Sequence, residues 1–294
     1  MSDAAAADAG SAAVTPLGAE LRVARRLARA AGQVVMDIRE RGQDALQVER
    51  KAEDEPVTIA DRAASELIVA GLEAAFPADL VISEERAGGL DDAARAGTRR
   101  VWFVDPIDGT KDFIRGAEGF AVMIGLCERG RPVLGVVYQP TAGGTFWAAP
   151  ALGAWFARGD GPPRRLRVEP RDDVGTLRLV ASASHRTHAT DQVKTALGIT
   201  DERNIGSVGI KLALIALGER DLYVNPTPKC KAWDTCAPQA IIEAAGGVLT
   251  DGHGDALPYD RVDLGGPRGL VACGRAAHAA VLARLAQLPF FRRT

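Results

Sequence analysis

Residues 105–110 read Asp-Pro-Ile-Asp-Gly-Thr and directly follow the apolar run Val101–Val104. The run predicts a short buried strand that ends at Asp105. Pro106 fixes its own φ and Gly109 is free to take backbone conformations that other residues avoid, so the chain is expected to turn sharply here. Two carboxylates, a free carbonyl and a hydroxyl in one turn suit Mg²⁺, which prefers oxygen ligands. Taken alone, such a stretch is more often a β-turn with solvated aspartates.

Other carboxylates stand at the ends of predicted elements elsewhere in the chain. Glu84 and Glu85 follow the short apolar run Leu80–Ile82, while Asp61 and Asp234 each open a predicted helix. Taken singly, Asp61 and Asp234 are explained as helix N-caps. Carboxylates that meet in one place raise one another's pKa and need cations to stay ionised. Metal binding is therefore the simplest joint explanation, provided that the fold brings them together.

Outward from this stretch, the first half of the chain is predicted to form two helices followed by a mostly antiparallel sheet. Apolar residues recur at helical spacing in both helices, and Pro77 ends the second one. Apolar runs then predict strands, two of which flank Glu128–Pro132 as a hairpin. The predicted helices span residues 17–41 and 61–76, and the predicted strands span 80–82, 101–104, 120–127, 133–138, 145–149 and 154–157.

The second half alternates between strands and helices, which predicts an α/β layer. The Gly/Pro-rich turn 159–163 marks the expected boundary. We therefore expect a disordered tail at 1–15, an α+β domain at 16–158 with most of the metal site, and an α/β domain at 159–294 that completes the metal and substrate site. The predicted strands of this half span 177–182, 221–224, 247–250 and 270–273, and its helices span 191–197, 209–217, 234–245 and 276–288.

Composition narrows the range of partners and compartments. The 294 residues carry a formal net charge of −2 and are 47% hydrophobic, so no overall basic field points to nucleic acid or to an anionic membrane. No apolar run approaches the roughly 18 residues of a membrane span, and no signal peptide is recognised at the start. The four cysteines form no CxxC pair, so we expect reduced thiols in a cytoplasmic protein.

Four short motifs together resemble the inositol-monophosphatase-like, lithium-sensitive phosphatase superfamily. They are Val57-Thr58-Ile59-Ala60-Asp61, Glu84-Glu85, the stretch 105–110, and Trp233-Asp234. The likeness covers about residues 17–288, with the motifs in the superfamily's order and spacing. It implies a layered α-β-α-β-α sandwich of the sugar-phosphatase type. It also implies a Mg²⁺-dependent phosphomonoesterase with a small phosphorylated substrate, and leaves open a monomer or a homodimer.

Within the superfamily, the chain most resembles the 3′(2′),5′-bisphosphate nucleotidases, which remove the 3′-phosphate of 3′-phosphoadenosine 5′-phosphate. The likeness rests on Lys111 after the Asp-Gly-Thr stretch and on the segments 182–185, 206–211 and 230–238. Ala183, Glu53 and Glu55 depart from the usual pattern. The alternatives are an inositol monophosphatase, a fructose-1,6-bisphosphatase or a histidinol phosphatase, and, from another class, a non-catalytic nucleotide-binding relative.

The resemblance also implies roles for particular residues. Glu84, Asp105 and the carbonyl of Ile107 would bind one Mg²⁺, while Asp105, Asp108 and Asp234 would bind a second, with a weaker third ion near Glu84. Thr110 and Asp61 would orient and deprotonate the attacking water. The residues expected to contact substrate are Gly109 and Thr110 through their N–H groups, Ser207 and Lys211 at a second phosphate, and Ser182 and His185 near the ribose or that phosphate.

Overall fold

A computed structural model describes residues 17–51, 55–86, 98–183, 188–227, 230–260 and 269–292. The predicted tail 1–15, Glu53 and His185 lie outside these ranges. Within them, no helix combines the length and hydrophobicity that crossing a bilayer requires. All four cysteines are described, and each is buried as a free thiol.

The chain begins with two packed helices, α1 (Gly18–Glu40) and α2 (Ile59–Ala75). A two-stranded antiparallel hairpin of β1 (Glu49–Arg50) and β2 (Pro56–Val57) connects them. The α1 side chains that repeat at helical spacing are buried against α2 and the sheet beneath. At the start of α2 a capping box forms, because Thr58 accepts from the N–H of Ala60 and its own N–H donates to the Asp61 carboxylate.

The first sheet has seven strands in sequential order. Strand β3 pairs with β4 in parallel, and each later strand described runs antiparallel to its predecessor. Its last strand lies beyond the predicted boundary at residue 158, so the sheet continues past that point, and the division into two domains stays a prediction. The strands are β3 (Leu80–Ser83), β4 (Arg100–Asp108), β5 (Ala121–Glu128), β6 (Arg131–Gln139), β7 (Gly144–Ala149), β8 (Gly153–Arg158) and β9 (Arg164–Arg165).

Strand β4 does not end at Asp105 as the sequence predicts, but continues through Asp108. Asp105 pairs with Met123 of β5, and Asp108 pairs with Ala121. Two residues of β4 therefore stand opposite one residue of β5, which is a β-bulge. The bulge lets a strand keep its pairing while it redirects the side chains on either side of the extra residue. It thereby places two buried carboxylates within four residues of one strand.

The second sheet has five strands in the order β11-β10-β12-β14-β13. Strands β11, β10 and β12 pair in parallel, and β14 pairs antiparallel with its neighbours β12 and β13, as expected of a mixed α/β layer. Its strands are β10 (Leu179–Ser182), β11 (Glu202–Ile205), β12 (Leu222–Asn225), β13 (Gly247–Asp251) and β14 (Leu270–Gly274). The remaining helices are α3 (Thr110–Ile114), α4 (His188–Leu197), α5 (Val208–Ala216), α6 (Ala232–Ala244) and α7 (Arg275–Leu285).

These elements form five layers, which confirms the predicted α-β-α-β-α sandwich. Helices α1 and α2 cover one face of the seven-stranded sheet. Helices α5 and α6 fill the space between the two sheets, and α4 and α7 cover the outer face of the five-stranded sheet. Three apolar clusters separate the layers.

Helix α6 approaches the seven-stranded sheet very closely. Gly125 and Gly135 face each other across β5 and β6, and α6 lies directly over this pair. A Cβ atom at Gly135 would stand 2.1 Å from the carbonyl oxygen of Ala237, and one at Gly125 would stand 2.6 Å from the Ala237 nitrogen. Only glycine permits this contact. Because Asp234 lies in the first turn of α6, the contact sets the height of its carboxylate above the sheet.

Candidate active site

Five carboxylates from four segments of the chain meet at one edge of the seven-stranded sheet. In the parallel pair of β3 and β4, Ser83 stands opposite Val104. The residues after this pair, Glu84 and Asp105, therefore lie side by side at the same edge. The charges of Glu84, Asp108, Asp234 and Asp61 all add to burial in raising the pKa of Asp105 well above its usual range. The predicted ligands thus lie within electrostatic reach of one another.

Burial makes these charges costly. The exposed fractions are 1% for Asp61, 2% for Asp105 and 6% for Asp108. Burial is the main cause that raises the pKa of all three, and it raises the pKa of Asp234 in the same way. Burial also raises the pKa of Glu84 to about 7 against the opposing charge of Lys51. Ionising all five together at neutral pH requires added positive charge.

Backbone and side-chain donors orient the three aspartates nearest the bulge. The N–H of Ile107 donates to Oδ1 of Asp105 over 3.0 Å, and the N–H of Lys231 donates to Oδ2 of Asp234 over 2.7 Å. Oδ2 of Asp108 accepts from the hydroxyl of Ser207 at 2.6 Å and from the N–H of Gly209 at 2.7 Å. These bonds go to Oδ1 of Asp105 and to Oδ2 of both Asp108 and Asp234, and they fix the direction of each carboxylate.

The described side chains include no group of three His, Cys, Asp or Glu that is already arranged to hold an ion. The reason is that like charges repel one another, and each carboxylate instead bonds a neighbouring N–H, O–H or ammonium group. The donor chemistry nevertheless fits hard divalent cations, because the convergent groups are carboxylates and a backbone carbonyl, with no sulfur or imidazole among the predicted ligands. The cost of burying these charges is the physical reason that the site would take cations.

Asp61 and Thr110 are hydrogen-bonded to each other beside this cluster. The Thr110 hydroxyl lies 3.2 Å from Oδ1 of Asp61 and 3.0 Å from the carbonyl oxygen of Ile107. Oδ2 of Asp61 accepts from the N–H of Thr58 at 2.8 Å and from its hydroxyl at 2.6 Å. Burial raises the pKa of Asp61 to about 6 despite these two bonds. A carboxylate of that basicity is suited to accept a proton near neutral pH.

Ser207 and Lys211 point inward, towards the carboxylates. Both are buried, at 0% and 1% exposed. Besides bonding Asp108, Ser207 caps α5 by accepting from the N–H of Ile210. The Lys211 ammonium donates to the carbonyls of Ile205 at 3.2 Å and Gly206 at 2.8 Å. Burial lowers the pKa of Lys211 to about 8, while the charge of Asp108 opposes this shift. This geometry favours positioning of Asp108 over direct contact with a second phosphate.

The other predicted substrate residues lie around the same edge. Gly109 has φ 101°, and a Cβ there would stand 2.8 Å from the carbonyl oxygen of Gly119, so the turn requires glycine. Ser182 ends β10 and is half-buried. His185 lies outside the described residues.

Two contributors were missed at the level of sequence. Lys51 bonds both Glu84 and Glu85, at 2.9 and 2.5 Å. Asp112 accepts at 3.0 Å from the N–H of Gly206, which ties α3 to the loop that carries Ser207. The signal for Lys51 was its position seven residues before Thr58, in a connection that the superfamily motif includes. Asp112 gave no such signal, because an acidic residue in the first turn of a helix has an ordinary explanation.

The sequence profile described as the inositol monophosphatase family matches residues 19–289. Together with the sandwich and the carboxylate edge, this match shows that the chain belongs to that family of phosphatases. Among curated relatives, it is 38% identical to the 3′(2′),5′-bisphosphate nucleotidase CysQ of Salmonella typhimurium strain LT2 over 80% of this chain and 91% of the relative. It is 36% identical to the protein of the same name from Escherichia coli strain K12, with the same coverage of both chains.

Solved structures share the whole fold at lower identity. The extragenic suppressor protein suhB of Bartonella henselae superposes with a TM-score of 0.76 at 27% identity, covering 91% of this chain and 98% of that one. An inositol monophosphatase from Anabaena (Nostoc) sp. PCC 7120 superposes with a TM-score of 0.74 at 26% identity, covering 94% and 98%. Both confirm the predicted fold class.

Proposed function

We propose that this protein is a Mg²⁺-dependent phosphomonoesterase that hydrolyses the 3′-phosphate of 3′-phosphoadenosine 5′-phosphate to give AMP and phosphate. The observation that carries the proposal is the meeting of Glu84, Asp105, Asp108 and Asp234 at one sheet edge beside the Asp61–Thr110 pair. The nucleotide substrate is supported by 36–38% identity to proteins named bisphosphate nucleotidases, against 26–27% to the solved structures above.

Glu84, Asp105 and the Ile107 carbonyl are the proposed ligands of one Mg²⁺, and Asp105, Asp108 and Asp234 those of a second. A weaker third ion is proposed near Glu84. Bound Mg²⁺ would supply positive charge that lowers the pKa of a water, neutralises phosphate oxygens and stabilises the leaving alkoxide. The protein's part is to hold carboxylate oxygens in fixed directions. The bonds to Asp105, Asp108 and Asp234 described above do this.

Asp61 and Thr110 are the proposed proton acceptors. Thr110 can donate its hydroxyl proton to Asp61 while a lone pair of the same oxygen accepts from the attacking water. Asp61 then takes the proton as general base. The two bonds from Thr58 hold its carboxylate in place. These bonds also explain why α2 begins where it does. Thr58 and Asp61 form the capping box of this helix, and Asp61 is also the proposed base.

The phosphate that leaves and the one that stays need different contacts. The N–H groups of Gly109 and Thr110 are proposed to face the transferred phosphate, and Ser182 and His185 the ribose or the 5′-phosphate. Ser207 and Lys211 were expected at that second phosphate. Their burial leads us to propose that they act through Asp108 instead.

A panel of substrates tests the proposal through released phosphate. It contains 3′-phosphoadenosine 5′-phosphate, its 5′-phosphosulfate analogue, inositol 1-phosphate, inositol 1,4-bisphosphate, fructose 1,6-bisphosphate and histidinol phosphate, each with Mg²⁺. We expect the highest kcat/KM for a 3′-phosphorylated adenosine nucleotide. A higher kcat/KM for inositol 1-phosphate would instead assign the protein to the inositol monophosphatase branch.

A further inference from the structure

The ammonium of Lys51 occupies a position next to the proposed metal ligand Glu84. Its nitrogen lies 2.9 Å from Oε1 of Glu84 and 2.5 Å from Oε1 of Glu85. Lys51 is anchored at the end of β1, where its N–H donates to the carbonyl of Glu55 over 2.8 Å. The side chains are 25% exposed for Lys51, 20% for Glu84 and 7% for Glu85, so this ion pair is partly shielded from water.

This contact is more than an incidental surface pair, because one ammonium bonds two carboxylates at once, those of Glu84 and Glu85. One cation thus offsets part of the charge that the carboxylate edge concentrates. A divalent ion at Glu84 would compete with that ammonium for the same carboxylate.

We propose that Lys51 is a built-in counter-ion of the site, which neutralises Glu84 and Glu85 until a divalent cation displaces its ammonium from Glu84. Lys51 is thus a positioning residue that sets how tightly the Glu84 site binds Mg²⁺. The proposal rests on the proposed function only in taking Glu84 as a metal ligand. It concerns binding to the substrate-free protein and is therefore measured without turnover.

The test is Mg²⁺ binding by isothermal titration calorimetry to the substrate-free full chain and to Lys51→Met. Removing a positive charge a few ångströms from a bound dication, together with the competition for Glu84, should tighten the Mg²⁺ dissociation constant by about tenfold or more. Without metal, Lys51→Met should melt at a lower temperature than the native chain, because Glu84 and Glu85 lose their partner. Added Mg²⁺ should raise its melting temperature by more than it raises that of the native chain.

Lys194→Met is the matched control. Lys194 pairs with Glu202 at 2.6 Å, and its side chain is 23% exposed, close to the 25% of Lys51, but it lies on α4 in the outer layer. The substitution Lys194→Met removes the same charge from a similar ion pair and should leave Mg²⁺ affinity unchanged. Lys51→Arg, which keeps the charge, should bind Mg²⁺ as the native chain does. Should Lys51→Met not fold, Lys51→Gln gives the same neutral test.

Equal or weaker Mg²⁺ binding by the neutral Lys51 variants would overturn the proposal, since the lysine would then assist the metal or ignore it. Tighter binding by Lys194→Met as well would also overturn it, because the effect would come from net charge. Failure of the proposed function looks different. In that case the native chain fails to prefer 3′-phosphorylated adenosine nucleotides in the substrate panel, whatever the order of Mg²⁺ affinities among these variants.

Discussion

The hydroxyl of Ser207 donates a hydrogen bond of 2.6 Å to Oδ2 of Asp108, a residue 99 positions earlier in the chain. It joins the N-cap of α5, in the middle layer, to the bulged end of β4. Neither end of this bond is exposed to solvent by more than 6%. The second half of the chain thus fixes the direction of a proposed metal ligand that belongs to the first half.

Replacing Ser207 with alanine should weaken Mg²⁺ binding and lower kcat/KM by roughly 10- to 100-fold, because partners of metal ligands have effects of that size. It should also lower stability by about 1 kcal/mol through the lost cap on α5. Calorimetry measures Mg²⁺ affinity, and phosphate release measures kcat/KM. Asp173→Ala removes the cap of a distant short helix and should leave Mg²⁺ affinity and kcat/KM unchanged. Native Mg²⁺ affinity in Ser207→Ala would show that the bond does not position Asp108.

Asp105→Asn should separate function from stability. Loss of a shared ligand should cut turnover by more than about 100-fold, since even the partners of ligands cost up to that much. The metal-free protein should nevertheless gain about 1 to 2 kcal/mol, because burial and four neighbouring carboxylates raise the pKa of Asp105, and asparagine does not have to take up a proton when the chain folds near neutral pH. Phosphate release and urea unfolding in EDTA give the two values. Retained turnover would refute the two-metal site.

A contrasting carboxylate serves as its control. Asp79 accepts from Arg100 and from the indole N–H of Trp102, each at 2.9 Å, and lies away from the edge. Asp79→Asn should therefore lose stability and keep Mg²⁺-dependent turnover. The opposite signs of the two stability changes distinguish carboxylates placed for metal binding from those placed for structure.

Asp61 should produce an acidic limb in the pH profile of kcat/KM. The proton acceptor must be ionised, so kcat/KM should rise with pH at or below about 6, the raised pKa of this carboxyl in the metal-free protein. Bound Mg²⁺ favours the ionised form and should move the rise to lower pH. In the metal-free protein the sign for stability is the reverse. The folded state holds the proton more tightly than the unfolded chain, so this contribution to stability is full below about pH 4 and is lost by about pH 6. Asp61→Asn should remove both the acidic limb and most of the rate. A limb that persists in this variant would assign it to another group.

The close approach of α6 to the sheet predicts a severe effect at a position with no chemistry. Gly135→Ala would place a methyl group against the Ala237 carbonyl and should cost about 1 to 3 kcal/mol. Because the helix must move to accept it, Mg²⁺ affinity should also fall as Asp234 shifts. Gly175→Ala, whose nearest contact would be an ordinary 3.7 Å, should change neither. An unchanged melting temperature for Gly135→Ala would mean that the helix and sheet are less tightly packed than described.

The sequence predicted most long elements because hydrophobic periodicity marks them. Helix α1 was expected at 17–41 and lies at Gly18–Glu40. Strand β11 (Glu202–Ile205) was missed because it is an edge strand in which only Ile205 is buried, so it shows no apolar run. Strand β9 was missed for the same reason, as its two residues are exposed arginines at the sheet edge.

Motif spacing predicted that the carboxylates would meet, and the charges of the other four do act on Asp105. Their role as metal ligands stays a prediction, and the spacing could not give the direction of each side chain. Ser207 and Lys211 stand at the expected place in the chain, yet both turn inward because α5 is buried between two sheets. The contact of Lys51 with Glu84 joins residues 33 positions apart, so it depends on tertiary packing. No local pattern encodes that packing.

The most direct measurement is phosphate release from 3′-phosphoadenosine 5′-phosphate by the purified protein, first with Mg²⁺ and then with excess EDTA. If the carboxylate edge holds the catalytic cations, release proceeds with Mg²⁺, stops with EDTA and returns when Mg²⁺ is restored. Undiminished release in excess EDTA would contradict the account.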